Sequence, residues 1–217
     1  MDDSKISMAV IKRLPRYYRY LGDLMDKGIS RISSKELSER MGITASQIRQ
    51  DLNHFGSFGQ QGYGYNVGVL FGEIERVLGL SRVYSLIVIG AGNFGQALVN
   101  YQNFANRGFV FTAMFDVDPE IIGTTVNGVE VLDVADLEGY LKNNHVDIAA
   151  LTLPGKAASG LIQILAVSSI TGIWNFSKSD LNVPRHIVVE NVRLSDSLMT
   201  LTYRMNEDDI MQRLGGS

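Results

Sequence analysis

The chain has no cysteine and only four prolines among its 217 residues. The absence of cysteine excludes disulfides, thiolate metal sites and cysteine nucleophiles. No run approaches about eighteen uninterrupted apolar residues, which excludes a transmembrane helix, and the N-terminal stretch lacks the apolar core of a signal peptide. Apolar residues make up 45% of the chain and charged residues 20%, which excludes disordered, collagen-like and coiled-coil proteins. We expect a soluble intracellular protein without metal or membrane attachment, built as one large domain or two modest ones.

Charge is unevenly distributed along the chain. Residues 5–60 carry ten basic and five acidic side chains, whereas residues 81–217 carry nine basic and fourteen acidic ones. A basic N-terminal segment on an acidic body indicates an anionic partner that meets one end of the molecule. An ordinary solvated surface would give the same counts, so the motifs must decide between the two interpretations.

Two short helical patterns lie on either side of a tight turn in the N-terminal third. The first, SSKELSERMG, begins with Ser33 and has Glu36 three residues later, which is the spacing of a capping box. Leu37 and Met41 lie four residues apart on one face, and Gly42 follows as a stop signal. A helix, a glycine-bearing turn and a second helix at this spacing predict a helix-turn-helix.

The second helical pattern, TASQIRQDLNHFG, repeats the capping device with Thr44 and Gln47. Its apolar residues fall on one helical stripe, which we expect to be buried: Ala45, Ile48, Leu52 and Phe55. The opposite face carries side chains that can hydrogen-bond base edges or phosphates. We therefore predict a DNA-reading helix, the alternative being a helical corner with a polar face. Its candidate DNA contacts are Ser46, Gln47, Arg49, Gln50, Asn53 and His54.

The glycine-rich segment FGSFGQQGYGYNV follows the second helical pattern. Its glycines break any helix, and the aromatic residues between them suit a short hairpin. A hairpin directly after a DNA-reading helix is the wing of a winged helix, whereas the alternative, a flexible linker, seldom carries so many aromatics. We predict a wing here, with Gln60, Gln61 and Tyr63 as further candidate DNA contacts.

Upstream, Pro15 lies too far inside IKRLPRYYRYLGDL for one continuous helix. We expect a short helix to end near Leu14 and another to begin at Pro15, where the missing N–H costs nothing. Arg13, Arg16 and Arg19 would then flank a DNA backbone, face another domain or form a solvated basic face.

A buried-strand pattern, YSLIVIG, leads into a glycine-rich turn and a helical pattern. Gly90, Gly92 and Gly95 form G-x-G-x-x-G in the strand–turn–helix context that dinucleotide binding requires. The next strand pattern, FVFTAMFDVD, ends at Asp116, where an acid hydrogen-bonds the ribose hydroxyls of NAD and repels the extra phosphate of NADP. S-adenosylmethionine is the alternative ligand, and a ligand-free α/β core is the other alternative. We predict an NAD(H) site formed by Gly90, Ala91, Gly92, Asn93, Phe94, Gly95 and Asp116.

Strand patterns continue to alternate with helical patterns over residues 82–192. This alternation predicts a doubly wound, mostly parallel sheet, in which ligands bind beyond the carboxyl ends of the strands. Two later strand patterns, DIAALTLP and GIWNF, end in residues that we expect to line the nicotinamide pocket, ordinary strand ends being the alternative. These residues are Thr152, Leu153, Pro154, Asn175 and Phe176.

Catalytic residues are missing from this cofactor site. A dehydrogenase needs an acid–base residue near the hydride, usually His, Lys or Tyr. The three histidines are poorly placed for that role, and Lys156 and Tyr101 have no recognisable partner to orient them. No residues remain for a substrate domain either. We therefore predict a dinucleotide-binding module that is not an enzyme, in which NAD⁺ or NADH is an effector and not a redox substrate.

The C-terminal segment places Leu194, Leu198, Leu201 and Met205 on one helical stripe. Such a helix packs either on its own domain or on a partner subunit. A helix-turn-helix that reads a palindrome needs two copies about 34–36 Å apart, so we expect a homodimer that this helix helps to build. The expected domains are a winged helix over 1–80, a Rossmann domain over 81–192 and a C-terminal helix over 193–217.

The sequence resembles the Rex family of redox-sensing transcriptional repressors nearly from end to end. The likeness is carried, in order, by RLPRYYRYL, SSKELSERMGITASQIRQDLNHFG, GYGYNV, GAGNFG, FDVDP, WNF and VVENV. It implies a cytoplasmic bacterial homodimer that binds palindromic operators when NAD⁺ is plentiful and releases them when NADH takes the same site. It also implies a C-terminal helix exchanged between subunits. Arg19 and Tyr101 match positions that serve domain contacts or cofactor sensing in that family.

The chain departs from the family pattern in the reading helix, in the wing and near the C-terminus. Many members have a basic residue at the position of Gln50 and a Lys or Arg pair where this chain has Gln60 and Gln61, so we expect weaker phosphate contacts and a different operator preference. The family often has an acid at the position of Arg193, for which Asp196 would have to substitute.

Two other functions fit part of the sequence. A dehydrogenase with an accessory DNA-binding module would turn over a substrate. A constitutive architectural DNA binder would hold its operator at any NADH/NAD⁺ ratio.

Overall fold

The computed structural model describes residues 6–53, 59–60 and 64–207. The chain divides into two compact units, one ending at Arg82 and the other beginning at Val83. Each unit has its own hydrophobic core. None of the helices in the described ranges is long and apolar enough to cross a membrane.

The N-terminal unit combines short helices with a small antiparallel sheet, which is the arrangement that the winged-helix prediction requires. Its helices are α1 (Met8–Ile11), α2 (Leu14–Asp26), α3 (Ser34–Met41), α4 (Ala45–Asn53) and α5 (Val67–Val77). Its strands are β1 (Arg31–Ile32), β2 (Gly59–Gln60) and β3 (Gly64–Asn66), in the order β1-β3-β2. β1 is absent from the sequence prediction because two residues are too few to show alternation.

Local sequence signals set the helix boundaries in this unit. α2 begins at Leu14 with Pro15 in its first turn, which confirms the predicted break. At the start of α3, Ser33 Oγ accepts from the Glu36 amide at 3.1 Å, while Glu36 Oε2 accepts from the Ser33 amide at 2.8 Å. This confirms the capping box. Gly42 then ends α3 in the left-handed conformation, with φ of 61°.

The core of the N-terminal unit is formed by one face of each longer helix. Leu21 of α2, Leu37 of α3, Ile48 of α4 and Leu70 of α5 are all fully buried. The predicted hairpin is present as an antiparallel pairing of β2 with β3, in which Gln60 lies opposite Gly64.

The C-terminal unit is a parallel sheet with interspersed helices. Its strands are β4 (Tyr84–Ile89), β5 (Phe109–Asp116), β6 (Thr125–Val126), β7 (Val129–Asp133), β8 (Ile148–Leu151), β9 (Gly172–Asn175) and β10 (Val188–Asn191). Its α-helices are α6 (Asn93–Asn100), α7 (Leu137–Asn143), α8 (Gly155–Ala166) and α9 (Leu194–Met205), and short 3₁₀ turns cover Ala105–Arg107 and Val134–Asp136.

The strand order of this sheet is β10-β9-β8-β4-β5-β7-β6. All neighbouring strands pair in parallel except β6 and β7, which pair antiparallel. Leaving out β6, this is the order of a dinucleotide-binding Rossmann domain, with β4 first in the chain and β8 crossing to its other side. The order reverses between β4 and β8. Ligands bind beyond the carboxyl ends of the strands at that crevice.

The antiparallel strand β6 is not part of the sequence prediction. It forms a tight hairpin with β7 through Asn127 and Gly128, which have φ of 49° and 81°. Asn-Gly between two apolar stretches is the strongest short hairpin signal, because both residues accept positive φ. That dipeptide in TTVNGVEV would have predicted the hairpin.

The C-terminal helix α9 forms as predicted, but its apolar stripe is uncovered in the single chain. Leu194, Leu198, Leu201 and Met205 are each more than half exposed, and Met199 beside them is 61% exposed. Monomeric soluble proteins rarely expose a large contiguous apolar patch.

Candidate functional site

The exposed face of α4 carries four of the nine predicted DNA contacts. Ser46, Arg49, Gln50 and Asn53 are all exposed, on the side opposite the buried Ile48. Arg49 Nη1 donates to Ser34 Oγ at 3.2 Å, which links α4 to the first turn of α3. A guanidinium has five N–H donors, so this contact leaves others able to meet an acceptor outside the protein.

Gln47 is half-buried and differs from the other predicted contacts. Thr44 Oγ1 accepts from the Gln47 amide at 3.1 Å, so the predicted cap is present. The Gln47 side chain does not complete a capping box as we expected. It donates instead from Nε2 to Asp51 Oδ1 at 2.8 Å, because Asp51 lies one turn further along the same helix.

Asp51 is a buried carboxylate that sequence reasoning missed. Arg13 donates to it from Nε and from Nη2, at 2.7 Å for each contact, and the Tyr17 hydroxyl donates to it at 3.0 Å. Asp51 lies on the same stripe as Ile48 and Leu52, and a charge at a core position requires a partner. The acid inside the apolar stripe was the signal that could have revealed the network.

Hydrogen bonding determines the protonation of this network. Burial alone would raise the pKa of Asp51, but hydrogen bonds from Arg13, Gln47 and Tyr17 outweigh it, so the pKa is lowered. Burial, followed by the hydrogen bond to Asp51, raises the pKa of Tyr17. Near neutral pH, Asp51 is therefore charged, and the Tyr17 hydroxyl is neutral and can donate a hydrogen bond.

Several predicted positions give less structural information. His54, Gln61 and Tyr63 lie outside the described residues, and for Gln60 only the strand position is described. Arg19 is exposed on α2, and its guanidinium lies 5.7 Å from the centre of the Tyr20 ring.

Tyr101 lies at the end of α6, in the C-terminal unit. Its hydroxyl accepts from Asn103 Nδ2 at 3.0 Å, and its ring contacts Phe104 edge-on with 5.1 Å between centroids. Just over half of Tyr101 is exposed.

The three glycines of GAGNFG differ in what a side chain at each position would meet. Gly90 has φ of 105°, and a Cβ there would lie 2.9 Å from Thr152 Oγ1. At Gly95, a Cβ would overlap the Gly90 carbonyl oxygen, so this position permits α6 to pack against the end of β4. A Cβ at Gly92 would meet nothing within 4 Å. That open space lies at the N-terminus of α6, where amides and the helix dipole favour an anion.

Asp116 lies at the end of β5, next to the glycine-rich turn. Its Oδ2 accepts from the Ala91 amide at 2.5 Å, and its Oδ1 accepts from the amides of Val117 and Asp118 at 2.7 and 3.1 Å. These bonds fix the carboxylate at the carboxyl end of the sheet. A carboxylate in this place can accept from the ribose hydroxyls of a dinucleotide.

A cleft of about 450 Å³ opens at the crevice between β4 and β8. Of the predicted cofactor contacts, Gly90, Gly92, Asp116, Leu153 and Pro154 line it. Sequence reasoning missed six further residues that line the cleft, namely Ile89, Phe115, Val117, Val134, Ala157 and Leu161. The glycine turn, the carboxylate and the apolar wall therefore meet in one cleft that suits a dinucleotide.

A second cleft of about 310 Å³ contains the predicted aromatic residues. Phe94 and Phe176 contact each other edge-on, with 4.9 Å between ring centroids. Thr152 lines both clefts, and Ser177 and Arg193 contribute polar groups to the second.

Asn175 lines neither cleft. It is fully buried, and its Nδ2 donates to Ser179 O at 3.0 Å and to Asn191 Oδ1 at 2.7 Å. Its Oδ1 accepts from the amide and the hydroxyl of Ser177. The side chain holds the loop after β9 in place and points into the protein, a direction that a strand end in the sequence does not reveal.

Arg193, at the position where the family often has an acid, has partners within its own unit. It donates to the Ser177 carbonyl oxygen and, at 3.1 Å, to Asp180 Oδ1. Asp196 is exposed in the first turn of α9, where its Oδ1 accepts from Ser195 at 3.3 Å.

The histidines of the C-terminal unit lie away from both clefts. His145 Nε2 lies 3.3 Å from Asp147 at the amino end of β8, and His186 Nε2 lies 3.2 Å from the Ala166 carbonyl oxygen. Within the described ranges, no group of three or more His, Cys, Asp or Glu residues is placed to hold a metal ion.

Comparisons with known proteins found a matching family for each of the two units. Residues 5–53 match the family described as "Putative DNA-binding protein N-terminus", and residues 81–179 match the family described as "CoA binding domain". A protein of Caldanaerobacter subterraneus subsp. tengcongensis, named redox-sensing transcriptional repressor Rex, is 53% identical over 211 residues, which are 97% of this chain and 94% of that protein.

Solved structures of RSP, a Rex-family repressor, have the same fold. The complex of RSP with beta-NADH has a TM-score of 0.88 and 47% identity, and covers 98% of this chain and 100% of RSP. The complex with beta-NAD⁺ and operator DNA has a TM-score of 0.88 and 49% identity, and covers 99% of each chain. These relatives are named as repressors and not as enzymes.

Proposed function

The chain belongs to the Rex family of redox-sensing transcriptional repressors, and we propose that it binds operator DNA through its N-terminal unit under the control of NAD⁺ and NADH in its C-terminal unit. NAD⁺ permits DNA binding and NADH releases the operator. The dinucleotide is an effector, and no substrate is turned over.

One observation carries the proposal. One cleft is bordered by the glycine turn after β4, the Asp116 carboxylate at the end of β5 and the apolar residues after β8. The same chain exposes the polar face of the predicted reading helix. A DNA-reading surface and a dinucleotide cleft in the same polypeptide are what a redox-sensing repressor requires. A dehydrogenase with an accessory DNA-binding module is not favoured, since the homologues are repressors.

The cofactor contacts follow from the chemistry of the two clefts. We assign the pyrophosphate to the turn and the first residues of α6, where backbone amides are available: Gly90, Ala91, Gly92, Asn93, Phe94 and Gly95. Asp116 accepts from the ribose hydroxyls and disfavours a 2′-phosphate. Leu153 and Pro154 form the apolar wall, and Phe176 lies toward the nicotinamide end. Asn175 acts by holding the loop that presents Phe176.

The DNA contacts are assigned to the exposed face of α4 and to the wing. Ser46, Arg49, Gln50 and Asn53 are exposed on one side of a helix of the width that a major groove admits. From the sequence alone, His54 extends this assignment along the predicted reading helix, and Gln60, Gln61 and Tyr63 extend it into the predicted wing. Arg49 supplies the cation for a phosphate or a guanine, and Gln50 suits a bidentate contact with adenine.

The assembly we propose is a homodimer in the bacterial cytoplasm. Palindromic operators are read by two-fold symmetric proteins. The apolar side chains of α9, including Leu198 at 63% exposed and Leu201 at 51%, give this helix a reason to pack against a second copy. Arg19 and Tyr101 are proposed to take part in coupling the cofactor to the DNA-binding units.

Coupling requires a difference in affinity between two states. NADH must bind the dimer shape that releases DNA more tightly than the shape that holds it, because equal binding to both shapes would shift nothing.

The single tryptophan provides an assay of cofactor binding. Trp174 lies 4.5 Å from Phe176, centroid to centroid, and Phe176 lines the second cleft. Reduced nicotinamide absorbs at the wavelengths at which tryptophan emits, so bound NADH is expected to quench Trp174 fluorescence, and NAD⁺ is expected to restore it by displacement. NADPH is compared with NADH by direct quenching, and coenzyme A, which has no nicotinamide, is compared by its ability to displace bound NADH and restore the fluorescence. Quenching by NADPH at lower concentration than NADH, or displacement of NADH by coenzyme A at lower concentration than by NAD⁺, would contradict the cofactor assignment.

Selection from random duplexes tests the DNA assignment. We expect the wild-type chain to select a palindrome, and Gln50→Ala to lose its preference at one base pair of each half-site, at a cost of about 1–3 kcal/mol. Gln163→Ala, an exposed glutamine on α8, is the matched control. An unchanged preference in Gln50→Ala would exclude this residue from base reading.

A further inference from the structure

We propose that Arg13, Tyr17, Gln47 and Asp51 form a positioning network that fixes the orientation of α4, and that Gln47 acts through Asp51 instead of contacting a base. This inference rests on the proposed operator binding. It replaces the sequence-based role of Gln47 with one that follows from its hydrogen bonds.

The network fills the acceptor positions of one buried carboxylate. Asp51 Oδ1 accepts from Arg13 Nη2 at 2.7 Å and from Gln47 Nε2 at 2.8 Å. Its Oδ2 accepts from Arg13 Nε at 2.7 Å and from the Tyr17 hydroxyl at 3.0 Å. The Asp51 side chain is 1% exposed, and Tyr17 is fully buried. Three of these four donor atoms belong to Arg13 and Tyr17 at the start of α2, so the carboxylate ties α4 to another helix.

Such a network restrains the rotation of α4 about its own axis more strongly than the apolar core does. Ile48 and Leu52 on either side of Asp51 bury α4, but apolar burial is non-directional and tolerates small rotations of a helix. A guanidinium fork against a carboxylate has a fixed planar geometry. Any rotation of α4 that separates Asp51 from Arg13 leaves a buried charge without its partner, which is strongly unfavourable.

The orientation of α4 matters because the reading side chains lie on its far side. The tips of helix side chains lie roughly 5 Å from the axis, so a rotation of about 20° moves them by about 2 Å. Hydrogen bonds to base edges do not tolerate such a displacement. The network is therefore expected to determine discrimination between DNA sequences more than attraction to phosphates.

The position of Gln47 supports the same interpretation. Unlike Ser46, Gln50 and Asn53, it is only partly exposed. Its Nε2 is engaged with a charged acceptor at 2.8 Å, and releasing it toward DNA would remove one of the four donors to Asp51.

The experiment measures the affinities of variants for the palindromic duplex that the wild-type chain selects and for a scrambled duplex, at one salt concentration. All measurements are made below the thermal transition of each variant, with Trp174 quenching by NADH as a check on the other unit. We expect Asp51→Asn to lose at least tenfold in affinity for the palindrome while the scrambled duplex changes less than twofold. Tyr17→Phe is expected to lose about threefold. This variant keeps the test decisive if Asp51→Asn fails to fold.

Matched controls separate positioning from charge and from general destabilisation. Asp23→Asn makes the same charge change at an exposed position of α2, and Tyr20→Phe removes another hydroxyl from that helix. Both are expected to keep the palindrome-to-scrambled ratio of the wild type. A purely structural role of the network would lower thermal stability and leave this ratio unchanged at temperatures where the variants are folded, which would overturn the proposal.

Gln47 is tested by a double-variant cycle and by base substitution. We expect Gln47→Ala to lower the preference at the contacted base pairs of the half-site together, and to have no further effect when Asp51→Asn is already present. Loss of preference at a single base pair would instead make Gln47 a base reader and overturn its assignment. If the wild-type chain does not prefer the palindrome, both the proposed function and this inference are overturned. If the wild-type chain prefers the palindrome and Asp51→Asn and Tyr17→Phe keep that preference, only the inference is overturned.

Discussion

The two candidate sites of this chain are built from different parts of the polypeptide. The DNA-reading face consists of side chains on α4, held from behind by the side chains around Asp51. The dinucleotide cleft consists mainly of backbone, namely a glycine turn and the ends of β4 and β8, with Asp116 as its principal charged side chain. We therefore expect the DNA-reading face to be impaired mainly by substitutions that shorten side chains, and the dinucleotide cleft to be impaired mainly by substitutions that add atoms to its glycines.

The largest expected effect on stability is that of adding one methyl group at Gly95, where α6 packs beside the cleft. Gly95→Ala would place a Cβ against the Gly90 carbonyl oxygen, a backbone atom that cannot move without opening the turn. We expect the C-terminal unit to lose about 3 kcal/mol of stability or more. Urea unfolding followed by Trp174 fluorescence measures this loss.

Gly92→Ala is the matched control for that substitution. A Cβ at this position meets nothing within 4 Å, and its φ of −66° suits alanine. The variant is expected to unfold like the wild type but to bind NADH more weakly, since the methyl group would occupy space left for the pyrophosphate. Equal stability of the two variants would contradict the packing role of Gly95.

The next effect concerns the removal of charge behind α4. Asp51→Asn is expected to destabilise the N-terminal unit by about 2–3 kcal/mol near pH 7, less than for a fully buried pair, because 32% of the Arg13 side chain is exposed. Since the folded state lowers the pKa of Asp51, its contribution is present above the unfolded pKa and is lost as pH falls through the folded one.

The difference in stability between wild type and Asp51→Asn should therefore shrink on acidification to about pH 2. Urea midpoints of the N-terminal unit, followed by far-ultraviolet circular dichroism, measure it. A difference that stays constant over this range would show that the charge of Asp51 has no part in its contribution.

A smaller effect is expected from Asp116→Ala in the cleft. A hydrogen bond from the ribose to a carboxylate contributes about 1.5–3 kcal/mol, so the dissociation constant for NADH should rise by about tenfold to a hundredfold. The preference for NADH over NADPH should fall as well. Trp174 quenching measures both quantities, and Asp118→Ala controls for the change in charge next to the cleft. Unchanged NADH affinity in a folded Asp116→Ala would remove the ribose assignment.

The smallest predicted effect is on the start of α3. Ser33→Ala removes the acceptor for the Glu36 amide and half of the capping box, which should cost about 1 kcal/mol. Ser38→Ala, in the interior of the same helix, should be neutral or slightly stabilising because alanine is the better helix former. Thermal unfolding of the N-terminal unit distinguishes the two, and equal losses would mean that the cap contributes nothing specific.

Local signals account for most of what could be predicted from the sequence. The capping box needs only Ser33 and Glu36, and the glycine turn needs only its own spacing and the strand before it. The reading face of α4 follows from helical periodicity, and the parallel sheet follows from alternating patterns.

Long-range contacts account for what could not be predicted. Asp51 and Arg13 are 38 residues apart, and no periodicity links an acid on one helix to a base near another. The inward direction of Asn175 depends on Ser177 and Asn191, which a strand pattern does not show. β1 is too short to have a period of its own.

The most direct test of the account is whether NADH controls DNA binding. A labelled palindromic duplex is bound by the chain in NAD⁺ at one stated salt concentration, and NADH is then added while fluorescence anisotropy is recorded. The account predicts release of the duplex as the NADH/NAD⁺ ratio rises, and no release by NADPH. Tight binding that is the same at every ratio would contradict it and would identify the chain as a constitutive DNA binder.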